Sequence, residues 1–229
     1  MSEAVLNRAD SDLPDREAAL ARFAVTLTAE PWSLTPATAE DLAAQGFDAT
    51  AIEAATGVVA MFNYLTRVAD ASGIEFDYAT PLPAFRPERQ RRPVDRPDRD
   101  SWPVLGAEYR TFPLLPALTQ AWDRWREYVF DSDEPLTRRQ REVVALVAAQ
   151  ECCDRWAAEQ LSSDVPSGDA EVRLVAFARK LSRSPWQMEP ADLDGLRGLG
   201  LSDRAVLHVI AVVAFQNAES RVALGRGLL

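Results

Sequence analysis

The chain repeats itself. Residues 15–70 and 169–224 align without a gap at a constant step of 154, and 20 of the 56 positions are identical. The step pairs Phe23 with Phe177, Leu27 with Leu181, Pro31 with Pro185 and Trp32 with Trp186. It continues through Pro36 and Pro190, Leu42 and Leu196, Gly46 and Gly200, and Ala60 and Ala214. It closes on Asn63, Arg67 and Val68 against Asn217, Arg221 and Val222. Pro-Trp, Pro and Gly recurring at fixed places mark a duplicated unit, because helical composition alone would scatter them. Any fold for this chain must therefore accommodate two copies of one supersecondary element.

Each copy reads as three helices. Leu20, Phe23, Ala24 and Leu27 recur at steps of three and four, the apolar stripe of a packed helix, over about 14–28 and again over about 169–182. Pro14 suits a first helical turn. A short second helix starts at Pro36 or Pro190, and Gly46 and Gly200 follow where a helix end needs positive φ. The third helix starts behind the N-caps Asp48 and Ser202-Asp203 and runs to about Ala71 or Leu224. It is apolar on nearly every side, which predicts burial in a bundle or at a subunit interface. Two further helices are predicted between the copies, over about 115–130 and from Thr137 toward Leu161. No β-alternation of any length occurs, so the expected class is all-α. Residues 86–100 mix proline, arginine and aspartate, which excludes regular structure and predicts a solvated linker, with a docking strand as the alternative. The expected organisation is an N-terminal three-helix repeat over 1–78, a linker over 79–109 and a C-terminal domain over 110–229.

Charge narrows the partners. The net charge is −10 and the pI about 4.7, and a uniformly acidic protein repels phosphate backbones, so nucleic acid is not expected. The start lacks a signal peptide's basic and apolar run, and no apolar stretch approaches bilayer length. A cytoplasmic protein without a membrane partner is expected. The only cysteines, Cys152 and Cys153, are adjacent and cannot build a disulfide framework.

The segment Leu136-Thr137-Arg138-Arg139-Gln140-Arg141-Glu142-Val143-Val144-Ala145-Leu146-Val147-Ala148-Ala149 resembles the helix leading into the active site of AhpD-like proteins, the carboxymuconolactone decarboxylase and alkylhydroperoxidase family. The repeat that follows, with its Phe-Ala helix, its Leu and Gly, and its apolar helix ending in Asn and Arg, resembles the stretch after that site in peroxidase-related members. The resemblance covers about 110–229 and implies an AhpD-like helical bundle that assembles as a homo-oligomer: dimer, trimer or hexamer. The family motif is a glutamate, then Cys-x-x-Cys, then a histidine four residues on. Two thiols three apart share a helix face, so one can attack an oxidant and the other resolve it. Glu142 matches the glutamate. Asp154, Ala157 and Leu161 fall where the two cysteines and the histidine belong. The resemblance thus implies the fold without the peroxidase chemistry, and no cofactor or metal is expected.

The candidate catalytic residues are Glu142, Cys152, Cys153 and Asp154. The cysteines read as inert core residues or as a relocated thiol site. Neighbouring carboxylates should raise their pKa values and suppress thiolate. Glu142 reads as an ion-paired helix glutamate or a surviving general base. Asn63/Arg67 and Asn217/Arg221, four apart on apolar helices, read as backbone- or interface-bonding pairs or as an anion site. Trp32 and Trp186 read as turn-packing anchors, and the sole histidine, His208, as a core or interface residue. The expected function is a non-peroxidase structural or ligand-binding family member acting as a homo-oligomer. A separately encoded thiol-bearing family member is a further expected partner. The alternative is a thiol peroxidase using Cys152 or Cys153, or a lyase-type enzyme using Glu142.

Overall fold

The computed structural model describes residues 13–74, 95–132, 134–161 and 168–229. Among them the chain is all-α, with nine α-helices and no strand. In order these are α1 (Asp15–Ala29), α2 (Pro36–Ala44), α3 (Ala49–Ser72), α4 (Pro116–Phe130), α5 (Arg138–Glu151), α6 (Arg155–Gln160), α7 (Asp169–Arg183), α8 (Pro190–Arg197) and α9 (Asp203–Arg226). None of them is long and apolar enough to cross a membrane.

The sequence step of 154 reappears in the element bounds. α1, the 3-10 turn Pro31–Ser33 and α3 start and stop 154 residues before α7, the turn Pro185–Gln187 and α9. The local causes repeat as well. Asp48 accepts a hydrogen bond from the Ala51 amide at 2.8 Å, and Ser202 accepts one from the Ala205 amide at 3.2 Å, so each long helix begins on a side-chain cap. Gly46 and Gly200 stand at φ +80° and +83°, the left-handed conformation that turns the chain between the short and long helices.

α3 and α9 lie against each other at the centre, and each unit's Pro-Trp turn packs on the other unit's long helix. The prolines are what the turns bury: Pro31 and Pro185 are inside, whereas Trp186 is 61% exposed. The indole expected to anchor the second turn therefore points to solvent. α5 and α7 cover α9, which is buried along almost its whole length. One cluster around Phe215 holds Trp122, Trp125 and Phe130 in offset and edge-on ring contacts. A second packs Phe23, Leu27, Leu42 and Ile52 beneath α3.

The helix predicted from Thr137 toward Leu161 is two helices. Thr137 and Gln140 close a capping box at the start of α5. At the other end the Asp154 amide reaches the Ala149 carbonyl at 3.0 Å and the Cys153 amide reaches Gln150 at 3.1 Å. That pair of bonds is the Schellman stop, with Cys153 at φ +55° where glycine is usual. Asp154 then caps α6 by accepting from the Ala157 amide at 3.1 Å. A carboxylate that can take a helix-start amide ends one helix by beginning the next.

Much of the predicted linker lies outside the described residues. Its described end is docked: Arg96 pairs with Glu151 at 2.8 Å, and the Trp102 indole donates to the Pro97 carbonyl at 2.9 Å. That part is otherwise exposed at Asp95, Asp98, Arg99 and Asp100, with Arg96 reaching inward to the Glu151 carboxylate.

Candidate functional site

A chemically unusual place in the molecule is the crossing of α3 and α9, where two arginines without a carboxylate partner among the described residues lie buried side by side. Arg67 Nη1 donates to the carbonyl and the side-chain Oδ1 of Asn63, both at 2.9 Å, and its Nη2 donates to the Ser182 carbonyl at 2.9 Å. Arg221 does the same 154 residues on. Its Nη1 donates to the carbonyl and Oδ1 of Asn217 at 2.8 and 3.1 Å, and its Nη2 donates to the Thr28 carbonyl at 2.7 Å. Each asparagine in turn donates to the hydroxyl at the end of its own unit's first helix: Asn63 to Thr28 at 3.0 Å, Asn217 to Ser182 at 2.8 Å.

Thr28 and Ser182 sit in the last turns of α1 and α7. Each arginine therefore places its charge on the C-terminal carbonyls of the other unit's first helix, where the helix dipole is negative. α1 has no basic residue in its own last turn, so Arg221 supplies from across the molecule what the local sequence lacks. Burial and then the neighbouring Arg221 charge pull the Arg67 guanidinium below its ordinary pKa. The reciprocal bonds offset the cost of two buried cations.

Cys152 breaks the symmetry. It ends α5 with its Sγ 3.1 Å from Arg221 Nη1, which donates to it, and 3.5 Å from Asn217 Oδ1, to which the thiol donates. Burial raises its pKa, while Arg221 and Arg67 pull the other way. Cys153, one residue on and equally buried, is pushed up to about 12, first by burial and then by Cys152. Desolvation, more than the neighbouring carboxylates, is what suppresses thiolate at both positions. Both cysteines are free thiols.

Asp154 is brought next to the cysteines in sequence but faces a different network. Both its oxygens accept from Arg110 Nη2, at 2.7 and 2.9 Å, with both side chains buried. Arg110 also lies over the Trp156 ring, 4.5 Å from its centroid, and 3.6 Å from Glu219, which Arg126 holds at 3.0 Å. Glu142 stands apart, one-third exposed on α5 and paired with Arg138 at 2.7 Å. Glu142 therefore does not converge with Cys152, Cys153 or Asp154 on one open site. Among the described residues no cluster of His, Cys, Asp and Glu could hold a metal.

Sequence reasoning passed over Arg110, Glu53, Arg226 and Glu219. Glu53, fully buried, accepts from Arg226 Nε and from the Leu114 amide, each at 2.9 Å, tying α3 to the end of α9. Nothing local flags such a pair, because its members are 173 residues apart. The crossed clasp did leave a signal: positions 28 and 182 both carry a hydroxyl at the same step that repeats Asn and Arg. His208 is buried in the second turn of α9, its Nε2 2.9 Å from the Val129 carbonyl.

No protein-family model, no curated protein and no solved structure matches this chain.

Proposed function

We propose that the protein is a non-peroxidase helical scaffold, a structural or ligand-binding relative of the AhpD-like proteins with an emptied thiol motif, and that it works as a homo-oligomer. One observation carries the non-peroxidase part. Cys152, Cys153 and Asp154 are buried and committed to holding helix ends or buried arginines, and Glu142 is committed to an ion pair. A peroxidatic thiol needs access and thiolate character, and burial opposes both here. The family part rests on the resemblance of 136–149 and the repeat that follows it.

The oligomeric part draws on α3. Val58, Phe62 and Leu65 form an exposed apolar stripe at helical spacing, whereas their counterparts on α9, Val212, Gln216 and Glu219, are buried. One long helix is thus covered on the face that the other presents to solvent.

Two measurements test the reading. Hydroperoxide consumption with a thiol reductant should not exceed that of a Cys152→Ser/Cys153→Ser variant; turnover that disappears in that variant would replace the scaffold with a thiol peroxidase. Light scattering after size exclusion should give a mass above one chain, reduced by Phe62→Glu. A monomer at all concentrations would remove the homo-oligomer and leave a separately encoded thiol-bearing partner, to be sought by co-expression.

A further inference from the structure

An open cleft of about 810 Å³ lies between the second half of α4, the turn that follows it and the first turns of α9. Its size is in the range of small-molecule sites. Its walls carry charges of both signs. Arg204 stands on the α9 wall; Arg124, Glu127 and Asp131 stand on the α4 side, with Glu134 beyond them. None of these five forms an ion pair among the described residues.

The second observation is independent of the charges. His208 lines the same cleft and is only 7% exposed. Its Nε2 must carry a proton to bond the Val129 carbonyl at 2.9 Å. Among the described residues Nδ1 has no hydrogen-bond partner and is left as an acceptor. Burial first, with the charges of Arg141 and Arg204, lowers the His208 pKa against the opposing Val129 hydrogen bond, which favours the neutral form whose Nδ1 accepts. Apolar contact is supplied by Leu207, 54% exposed, and by the Tyr128 ring, 71% exposed and edge-on to the imidazole.

We propose that this cleft binds a small apolar zwitterion of the amino-acid class. Its ammonium donates to the Glu127 and Asp131 carboxylates and to His208 Nδ1. Its carboxylate accepts from Arg204, and its side chain lies on Leu207 and the Tyr128 ring. An anion alone would leave the carboxylates unanswered and repelling; a cation alone would leave Arg204 so. The inference rests on the scaffold reading only in treating the molecule as a ligand and not a substrate.

The test is calorimetric titration of the full chain with three probes: L-phenylalanine, phenethylamine, which lacks the carboxylate, and phenylacetate, which lacks the ammonium. L-phenylalanine should bind saturably, with both truncated probes at least about tenfold weaker, a loss of about 1.4 kcal/mol. Arg204→Ala should weaken L-phenylalanine about tenfold and leave phenethylamine unchanged. Glu127→Gln/Asp131→Asn should weaken L-phenylalanine and leave phenylacetate unchanged. These three side chains are exposed, so both variants should fold, which circular dichroism checks. No saturable heat with L-phenylalanine, equal binding of all three probes, or binding indifferent to both variants would overturn the proposal. Hydroperoxide turnover and chain mass are separate readouts, so failure of the scaffold reading would be distinguishable from failure of this site.

Discussion

Arg221 donates from Nη2 to the carbonyl of Thr28, 193 residues earlier, at 2.7 Å. The same bond runs in the opposite sense from Arg67 to Ser182, at 2.9 Å. The two three-helix units are thus joined by a reciprocal clasp in which each long helix finishes the other unit's first helix. A guanidinium can do this because its planar fork reaches an asparagine oxygen on its own helix and a carbonyl on the next at once.

Arg67→Ala and Arg221→Ala should each destabilise the protein by about 2–4 kcal/mol, since each leaves buried carbonyls and an asparagine oxygen without their charged donor. Lysine should not restore either, because a point charge cannot bridge both acceptors. The double variant should cost more than the two single losses together, because each single loss is partly offset by relief of the same repulsion, which can be relieved only once. Urea unfolding of the wild type, the two alanine variants and their double checks this; strict additivity would mean the arginines do not sense one another.

The two thiols should make the protein fragile in alkali. Their folded-state pKa values lie above the ordinary value of 9, with Cys153 at about 12. A thiol that holds its proton longer in the folded state contributes stability that is complete below pH 9 and lost as pH rises toward the folded value. The slope should reach about 1.4 kcal/mol per pH unit for each thiol. Cys153→Ser should remove part of that slope above pH 9 while leaving the slope near neutrality unchanged. Unfolding free energies taken from pH 7 to pH 11 decide it. In the native state DTNB should label neither cysteine except through unfolding.

Glu142 and Asp154, both candidates from the sequence, should separate sharply. Glu142→Ala removes a half-exposed pair with Arg138 and should change stability by no more than about 0.5 kcal/mol. Asp154→Ala strips Arg110 of its bidentate partner in the interior and uncaps α6, and should cost about 3–5 kcal/mol. Thermal unfolding of both variants measures the contrast. A large loss for Glu142→Ala would reveal a role its position does not account for.

Gly46→Ala and Gly200→Ala should cost nearly the same, about 1 kcal/mol each. Both glycines stand at positive φ, and an added Cβ at either would meet nothing within 4 Å. The penalty is therefore conformational alone, and it should match across the two units. Unequal losses measured by denaturant titration would show that the two turns, alike in backbone, differ in what the surrounding structure demands of them.

The sequence by itself determined the helices and their repetition. Caps at Asp48 and Ser202, positive-φ glycines at 46 and 200, and apolar stripes of period 3.6 are local signals, readable wherever the residues that act are a turn apart. Tertiary structure alone decided how the units embrace. The bonds from Arg221 to Thr28, from Arg226 to Glu53 and from Arg110 to Asp154 join residues 44 to 193 positions apart, and no local pattern constrains such pairs. Tertiary structure also decided the fate of the candidate site. An unbroken helix through Asp154 was the natural reading of an apolar, alanine-rich run. In the fold, Arg110 holds Asp154 at a helix start, the chain turns at Cys153, and the thiols go into the core because a buried guanidinium waits there to receive one of them.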